Sequence, residues 1–457
     1  MEWNELHNIV CKAVSTLEKD AAIEAFFTAV NKTDVVIRNS EILTQNRIED
    51  AGVGIRAAVH SKVGFACTNQ LTEEALTQTG KKAISIAKVS SEAPDFALFE
   101  PGQLPSVPLL YDDEVAEMTV DKAVDMAQRM ITSCEDVDQR VIAKGGAVEF
   151  TSCQRGIVTS AGIDCEEPGT KAILDLGGVG DDNGEVTGFC FDFEFSRTKN
   201  VSPEKIGESV GKKIVAVFNP KPVTSFEGTV IFGPQAVSYQ LTDALIDALK
   251  GESVVAGRSF WAGKIGEKVA SDITVTDNGI LENGFSSRTF DDEGYPSQNT
   301  VLLQNGVLKS YLHCATTAHA LQQPNTGNAS RSPGGFDMIR SIIGSGYRTT
   351  PEIYPSNMVI TPGTKDKQHL IAEVEKGVLV ESMDGFVQQG SGLISARLSQ
   401  AFFIDHGEIQ YPIKGGMVTG IAFDWFCALS GIGNDSKRFE NAVVPSLRVE
   451  DVTVVGG

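Results

Sequence analysis

Phe218-Asn219-Pro220-Lys221-Pro222-Val223-Thr224 divides this sequence in two. Two prolines in three positions cannot continue a helix, because each lacks a backbone donor and its ring collides with the preceding turn. Upstream of the break, helical and strand-like patterns alternate. Downstream, strands and turns dominate as far as Gly457. The expectation is an α+β chain of two domains. Residues 1–218 form a mixed α/β domain with a long sheet and packed helices, and residues 223–457 form an antiparallel β-rich domain with one main helix.

Working back from the break, Ser202-Pro203 opens a helix, with Ser as N-cap and Pro at the first helical position. Strand-like segments fill Val141 to Phe193, with a turn at Asp181-Asp182-Asn183-Gly184. Thr119 caps a helix whose Val120, Ala123, Val124, Ala127, Met130 and Ile131 share one face. Residues 94–108, rich in proline, read as a linker. Thr72 starts a helix carrying Leu76, Ala83, Ile84 and Ala87, and residues 33–69 alternate in the period-2 manner of half-buried strands. Forward of the break, the strong helix runs from about Gln235 to Lys250. Val237, Leu241, Ala244, Leu245, Ala248 and Leu249 mark its buried face, and Thr242, Asp243 and Asp247 its exposed one.

The chain has 457 residues, 41% hydrophobic and 22% charged, which is ordinary for a globular protein with large cores. Its formal net charge of -21 disfavours direct nucleic-acid binding, which depends on a basic patch. Eight cysteines lie far apart, without a Cys-x-x-Cys pair, and read as reduced, mostly buried thiols. The first twenty residues carry acids and lack the apolar core of a signal peptide, and no run approaches the ~18 apolar residues of a membrane span. A soluble, cytoplasmic protein without a membrane partner is expected.

Candidate chemistry is sparse. Six histidines occur, at 7, 60, 313, 319, 369 and 406, and none forms the two-His-plus-Glu helix of a zinc peptidase. His313 and His319 are six apart and read as lying on opposite faces of a helix, so they would not share an ion. Gly177, Gly178 and Gly180 precede a hairpin instead of a helix, which disfavours a dinucleotide site, and Gly390-Ser391-Gly392 is not a nucleophile elbow. Asp291-Asp292-Glu293-Gly294 reads as a charged turn or, less readily, a cation site. Asn325-Thr326-Gly327-Asn328, followed by Arg331, is a turn-prone loop that either hydrogen-bonds an extended peptide or simply covers the surface.

Several segments together resemble one family. They are Gly52-Val-Gly-Ile-Arg56, Lys62-Val-Gly-Phe-Ala-Cys-Thr-Asn69, Phe290-Asp-Asp-Glu-Gly-Tyr-Pro-Ser297, Leu303-Gln-Asn-Gly-Val-Leu-Lys-Ser-Tyr-Leu312, Asn325-Thr-Gly-Asn-Ala-Ser-Arg331, Gly407-Glu-Ile-Gln-Tyr-Pro-Ile-Lys-Gly415 and Gly431-Ile-Gly-Asn-Asp435. In this order they resemble the TldD/PmbA metalloprotease family, whose members are also described as modulators of DNA gyrase. The resemblance implies a C-terminal domain that, in the TldD type, holds zinc on a His-Glu-x-x-x-His helix and a cysteine near the C-terminus.

At the matching positions this chain has Thr242, Asp243 and Asp247, and Glu440-Asn-Ala-Val-Val-Pro-Ser-Leu447 has no cysteine. Threonine does not replace imidazole as a zinc ligand, and two carboxylates suit a harder cation. The resemblance therefore implies a PmbA (TldE)-like, non-catalytic subunit that binds no cofactor itself. It would pair with a zinc-bearing TldD-type partner as a heterodimer, with a homodimer also open, and act on peptides or unfolded protein. Two alternatives stay open. One is a stand-alone hydrolase using Asp243 with Asp247, or the Asp291 to Glu293 cluster. The other is a non-enzymatic modulator that binds another protein.

Overall fold

The structure, a computed structural model, describes residues 2–93, 96, 98–331 and 345–457; positions 94, 95 and 97 of the expected linker lie outside the described residues. The N-terminal half is built on an antiparallel seven-stranded sheet. Its central strand, Ala22–Arg38, pairs with Glu41–Val59 on one side and Val141–Thr159 on the other. Lys62–Thr68 lies beyond the first, and Asp164–Asp182 beyond the second, followed by Glu185–Val186 and Cys190–Ser196. The sheet thus begins at Ala22, earlier than the alternation at 33–69 suggested. Asn39 and Ser40 join the first two strands in the left-handed region, at φ 48° and 62°, as a two-residue hairpin requires. Asn183 and Gly184 do the same at the expected turn.

Strand alternation decides what each face of this sheet meets. Ile23, Ala25 and Phe27 face the helix pair Trp3–Leu17 and Glu73–Val89, and Val35 and Ile37 face the pair Val120–Glu135 and Pro203–Ala216. The first of these helices was not foreseen. Within the second pair the backbones come close: a Cβ on Gly207 would lie 2.3 Å from the Met130 carbonyl oxygen, and one on Gly211 2.6 Å from that of Cys134. Thr119 caps as expected, accepting from Lys122 N at 3.4 Å, and Thr72, at the expected helix start, also caps, accepting from Ala75 N at 3.2 Å. Ser202 makes no side-chain cap, although Pro203 does start its helix.

The other face of the sheet carries Glu24, Phe26, Thr28, Arg56 and Arg155, and the C-terminal half lies against it. That half contains a closed ring of strands. Lys376–Gln388, Phe226–Phe232, Leu447–Val455, Met417–Ile421 and Leu393–Asp405 pair in that order, and the last pairs again with the first. Closure leaves these strands no free edge. The ring is antiparallel except where Phe226–Phe232 runs parallel to Lys376–Gln388. A six-stranded sheet, centred on Val275–Asn278 and Met358–Ile360, completes the half. No helix among the described residues is long and apolar enough to cross a membrane. Of the cysteines expected to be mostly buried, Cys134, Cys190 and Cys314 are, whereas Cys67 and Cys427 are exposed.

Candidate functional site

The main helix of the C-terminal half leaves the strand Phe226–Phe232 at Gly233 and runs through residues 234–249. A π-helical turn, Val237–Leu241, interrupts its α-helical parts Pro234–Ala236 and Thr242–Leu249. The six apolar residues expected on its buried face all enter the main core. A π-turn widens the helix locally and is frequent at functional sites, because it re-aims the side chains beyond it.

The three polar positions read from the sequence as one exposed face have three different fates. Thr242 is buried, 2% exposed, and its hydroxyl donates back to the Ser238 carbonyl. Asp247 accepts the Gly390 N–H at 2.7 Å and the Ser253 hydroxyl at 3.3 Å, which anchors the turn at Gly390. Only Asp243 faces a cavity. It is exposed, as expected, yet the protein around it desolvates the carboxyl and pushes it up to about 6, against a smaller opposing effect of Lys250. These residues do not fit a zinc ion: one hydroxyl is tied to the backbone, one carboxylate is bonded elsewhere, and no imidazole or thiolate among the described residues lines the cavity.

The cavity measures about 280 Å³ and lies where the two halves meet. Phe191 and Phe195 reach it from the N-terminal sheet, and Gln235, Ser238, Tyr239, Gln240 and Asp243 from the helix. Tyr354, the segment Ser382 to Gly385 and the segment Phe439 to Asn441 complete it. The Glu440 carboxyl is pushed up by burial, with Lys171 partly opposing. Asp175, whose carboxyl is close enough to raise the Tyr239 phenol further, is itself pushed up to about 7 by burial and by Glu149. Gln235, Tyr239 and Asp243 are four apart along the helix, a spacing that reading for apolar periodicity passes over.

The other candidate residues are internal scaffolding. Asp291, Asp292 and Glu293 do form a turn, with Gly294 N donating to the Asp291 carbonyl at 2.9 Å, but the turn is buried, not a charged loop in solvent. Asp291 accepts from the backbone N–H of Glu293, Tyr295 and Ala329. Asp292 receives Arg155 at 2.5 Å and Arg331 N at 2.6 Å; burial raises its carboxyl, and Arg288 and Arg155 more than offset that, holding it below the usual range. Glu293 receives Arg56 at 2.7 Å and Ala315 N at 2.9 Å. Carboxylates already matched by arginine and backbone donors offer nothing to a cation.

Likewise, the loop from Asn325 is not a surface loop open to a peptide. Thr326 donates to Asn328 at 2.6 Å, and Asn328 donates to Asp277 at 2.6 Å and the Tyr354 carbonyl at 3.2 Å. Asn325 supports Gly327, which takes φ 72°, and accepts from Gln298. Arg331, 1% exposed, reaches Glu24 in the N-terminal sheet.

His313 and His319 do not share a helix. His313 precedes the helix Ala315–Leu321 and is buried, which pushes its imidazole down to about 4 and keeps it neutral at pH 7. Among the described residues, one group of three metal-type donors lies together: His7, Cys11 and Asp164. His7 Nε2 lies 2.7 Å from Asp164 and 3.6 Å from the Cys11 sulfur. Burial and Asp164 push the thiol up, away from the thiolate that a metal needs. The four-residue spacing of His7 and Cys11 was its only signal in sequence.

Residues 225–456 match the PmbA/TldA metallopeptidase C-terminal domain, residues 23–87 its domain 1 and residues 113–217 its central domain. A metalloprotease PmbA homologue of Haemophilus influenzae is 25% identical over 471 residues, covering 99% of this chain and 96% of that protein. A metalloprotease TldD homologue of Buchnera aphidicola is 24% identical, covering 92% of this chain and 90% of that one. The crystal structure of TldE from Thermococcus kodakarensis has a TM-score of 0.88 at 25% identity, covering 98% of this chain and 100% of that chain.

Proposed function

As the chain belongs to the PmbA/TldD metallopeptidase family, we propose that it is a PmbA (TldE)-like subunit without a metal centre, working with a TldD-type partner that holds the zinc. The pair would act in the cytoplasm as a protease on peptides or unfolded segments. Identity does not separate the two branches, since PmbA-named and TldD-named relatives match almost equally. What carries the reading is the helix 234–249, where Thr242 is hydrogen-bonded to its own backbone and Asp247 is committed to Gly390. Without a metal at this position, nothing here lowers the pKa of an attacking water or polarises a scissile carbonyl.

The contribution of this chain is then architectural: a matching surface that flanks the partner's site and helps to hold an extended peptide. The stand-alone hydrolase read from the sequence would use Asp247 with Asp243, or the Asp291 to Glu293 turn, and Asp247, Asp292 and Glu293 are bonded to other donors. The reading is tested by incubating casein or a peptide library with this chain, with a TldD-type chain, and with both. Cleavage that is chelator-sensitive and strongest in the mixture supports it. Chelator-sensitive cleavage by this chain alone overturns it.

A further inference from the structure

We propose that the cavity beside Asp243 binds an organic cation, the guanidinium or ammonium group of a basic peptide residue. The inference deepens the subunit reading, since it assigns this chain a share in choosing the peptide.

Charge is the first argument. Among the described residues, Asp243, Asp384 and Glu440 line the cavity, and no lysine or arginine does. Lys250 and Lys171 act on Asp243 and Glu440 from outside the lining. The walls add to this. Phe191 and Tyr239 have ring centroids 6.1 Å apart, Tyr239 and Phe439 6.0 Å, and Phe195 and Tyr354 complete an aromatic surround. Aromatic faces carry negative charge density and attract a cation best where water is excluded.

The second argument is independent of charge. Three side chains that line the cavity are more than nine-tenths buried, and each has a polar atom without a hydrogen-bond partner: Gln235 Nε2, Gln240 Oε1 and Ser382 Oγ. Buried polar groups are nearly always paired; these three atoms are closed to solvent, so a ligand in the cavity would meet them only once the side chains turn toward it. The amide orientations are fixed by their other bonds. Gln240 donates from Nε2 to the Met383 carbonyl at 3.1 Å, which makes its free atom an acceptor. Gln235 accepts from Lys213 Nζ at 3.2 Å, which makes its free atom a donor.

The carboxylates of Asp243 and Glu440 suit a guanidinium, which has five donors and no acceptor, and Gln240 adds an acceptor if its amide turns to the cavity. The free donor of Gln235 suits a peptide carbonyl on the same ligand. A volume of about 280 Å³, near the low end of the ~300–1,000 Å³ of ligand pockets, has room for one long side chain and not for a folded element.

The test is calorimetric titration of the purified chain with Nα-acetyl-arginine methylamide, its neutral isostere Nα-acetyl-citrulline methylamide, Nα-acetyl-glutamate methylamide and alanine methylamide. Saturable binding of the arginine probe, about tenfold or more tighter than citrulline, supports the proposal. So does a loss of about fivefold or more in Asp243→Asn or Glu440→Gln. Binding of alanine methylamide as tight as that of the arginine probe would assign the charge to a peptide α-amine and overturns it. Equal binding of arginine and citrulline, preference for glutamate, or no saturable binding overturns it. The citrulline comparison uses the wild-type chain, so it holds even if a variant folds poorly. Failure here with intact cleavage by the two-chain mixture would leave the subunit reading standing.

Discussion

Arg331 donates from Nη2 to Oε1 of Glu24 at 2.5 Å, joining residues 307 positions apart. Glu24 also accepts Arg56 on its other oxygen, so one buried carboxylate is shared by an arginine from each half of the protein. Removing one member of a buried ionic group leaves charge without compensation, which costs about 3–5 kcal/mol. Glu24→Ala is therefore expected to lower stability by that amount and Glu24→Gln by less, read from urea unfolding of the full chain. A loss below about 1 kcal/mol would mean that Glu293 and Asp292 hold both arginines unaided.

Restoring the imidazoles of the TldD pattern is not expected to restore a zinc site. Thr242 is packed in the core, and an imidazole there overfills it at a cost of about 1–3 kcal/mol. Replacing Asp247 also frees the Gly390 N–H and the turn that it anchors. The double variant Thr242→His, Asp247→His is expected to melt below the wild type and to retain less than one zinc per chain after dialysis. Stoichiometric zinc at unchanged stability would contradict this account.

Asp175 gives the stability a definite pH dependence. Burial, then Glu149 and Asp34, hold its carboxyl at about 7, and the Ala147 N–H only partly offsets them. The unfolded chain releases this proton near pH 4, so between about pH 4 and 7 the native state binds more protons and this residue's contribution falls as pH rises. Asp175→Asn keeps an acceptor for Ala147 and removes the charge. It is expected to flatten that part of the profile and to stabilise the protein at pH 8 by on the order of 2 kcal/mol, measured as urea midpoints from pH 4 to 8.

Metal analysis separates the His7, Cys11 and Asp164 group from the cavity beside Asp243. After incubation with zinc and dialysis, the wild type is expected to retain well under one equivalent. Whatever remains should be lost in His7→Ala and kept in Asp243→Ala, because His7, Cys11 and Asp164 offer mixed nitrogen, sulfur and oxygen donors and Asp243 offers only a carboxylate. Loss in Asp243→Ala instead would place the ion in the cavity.

Local pattern was enough to read the apolar helix faces at 72–89, 120–135 and 234–249, the Thr119 cap and the turn at Asn183, because side-chain periodicity and turn chemistry depend on near neighbours. That Thr242 and Asp247 carry no imidazole is likewise read from residue identity alone. Burial of charge was not legible. Asp291, Asp292, Glu293 and Arg331 read as exposed because Arg288 alone is a near neighbour that neutralises any of them, whereas Glu24, Arg56 and Arg155 arrive from strands more than a hundred residues away. The cavity follows the same rule. Gln235, Gln240, Ser382 and Glu440 become one site only when the strand ring, the π-turn and the N-terminal sheet bring them together, and that convergence is a property of the tertiary fold.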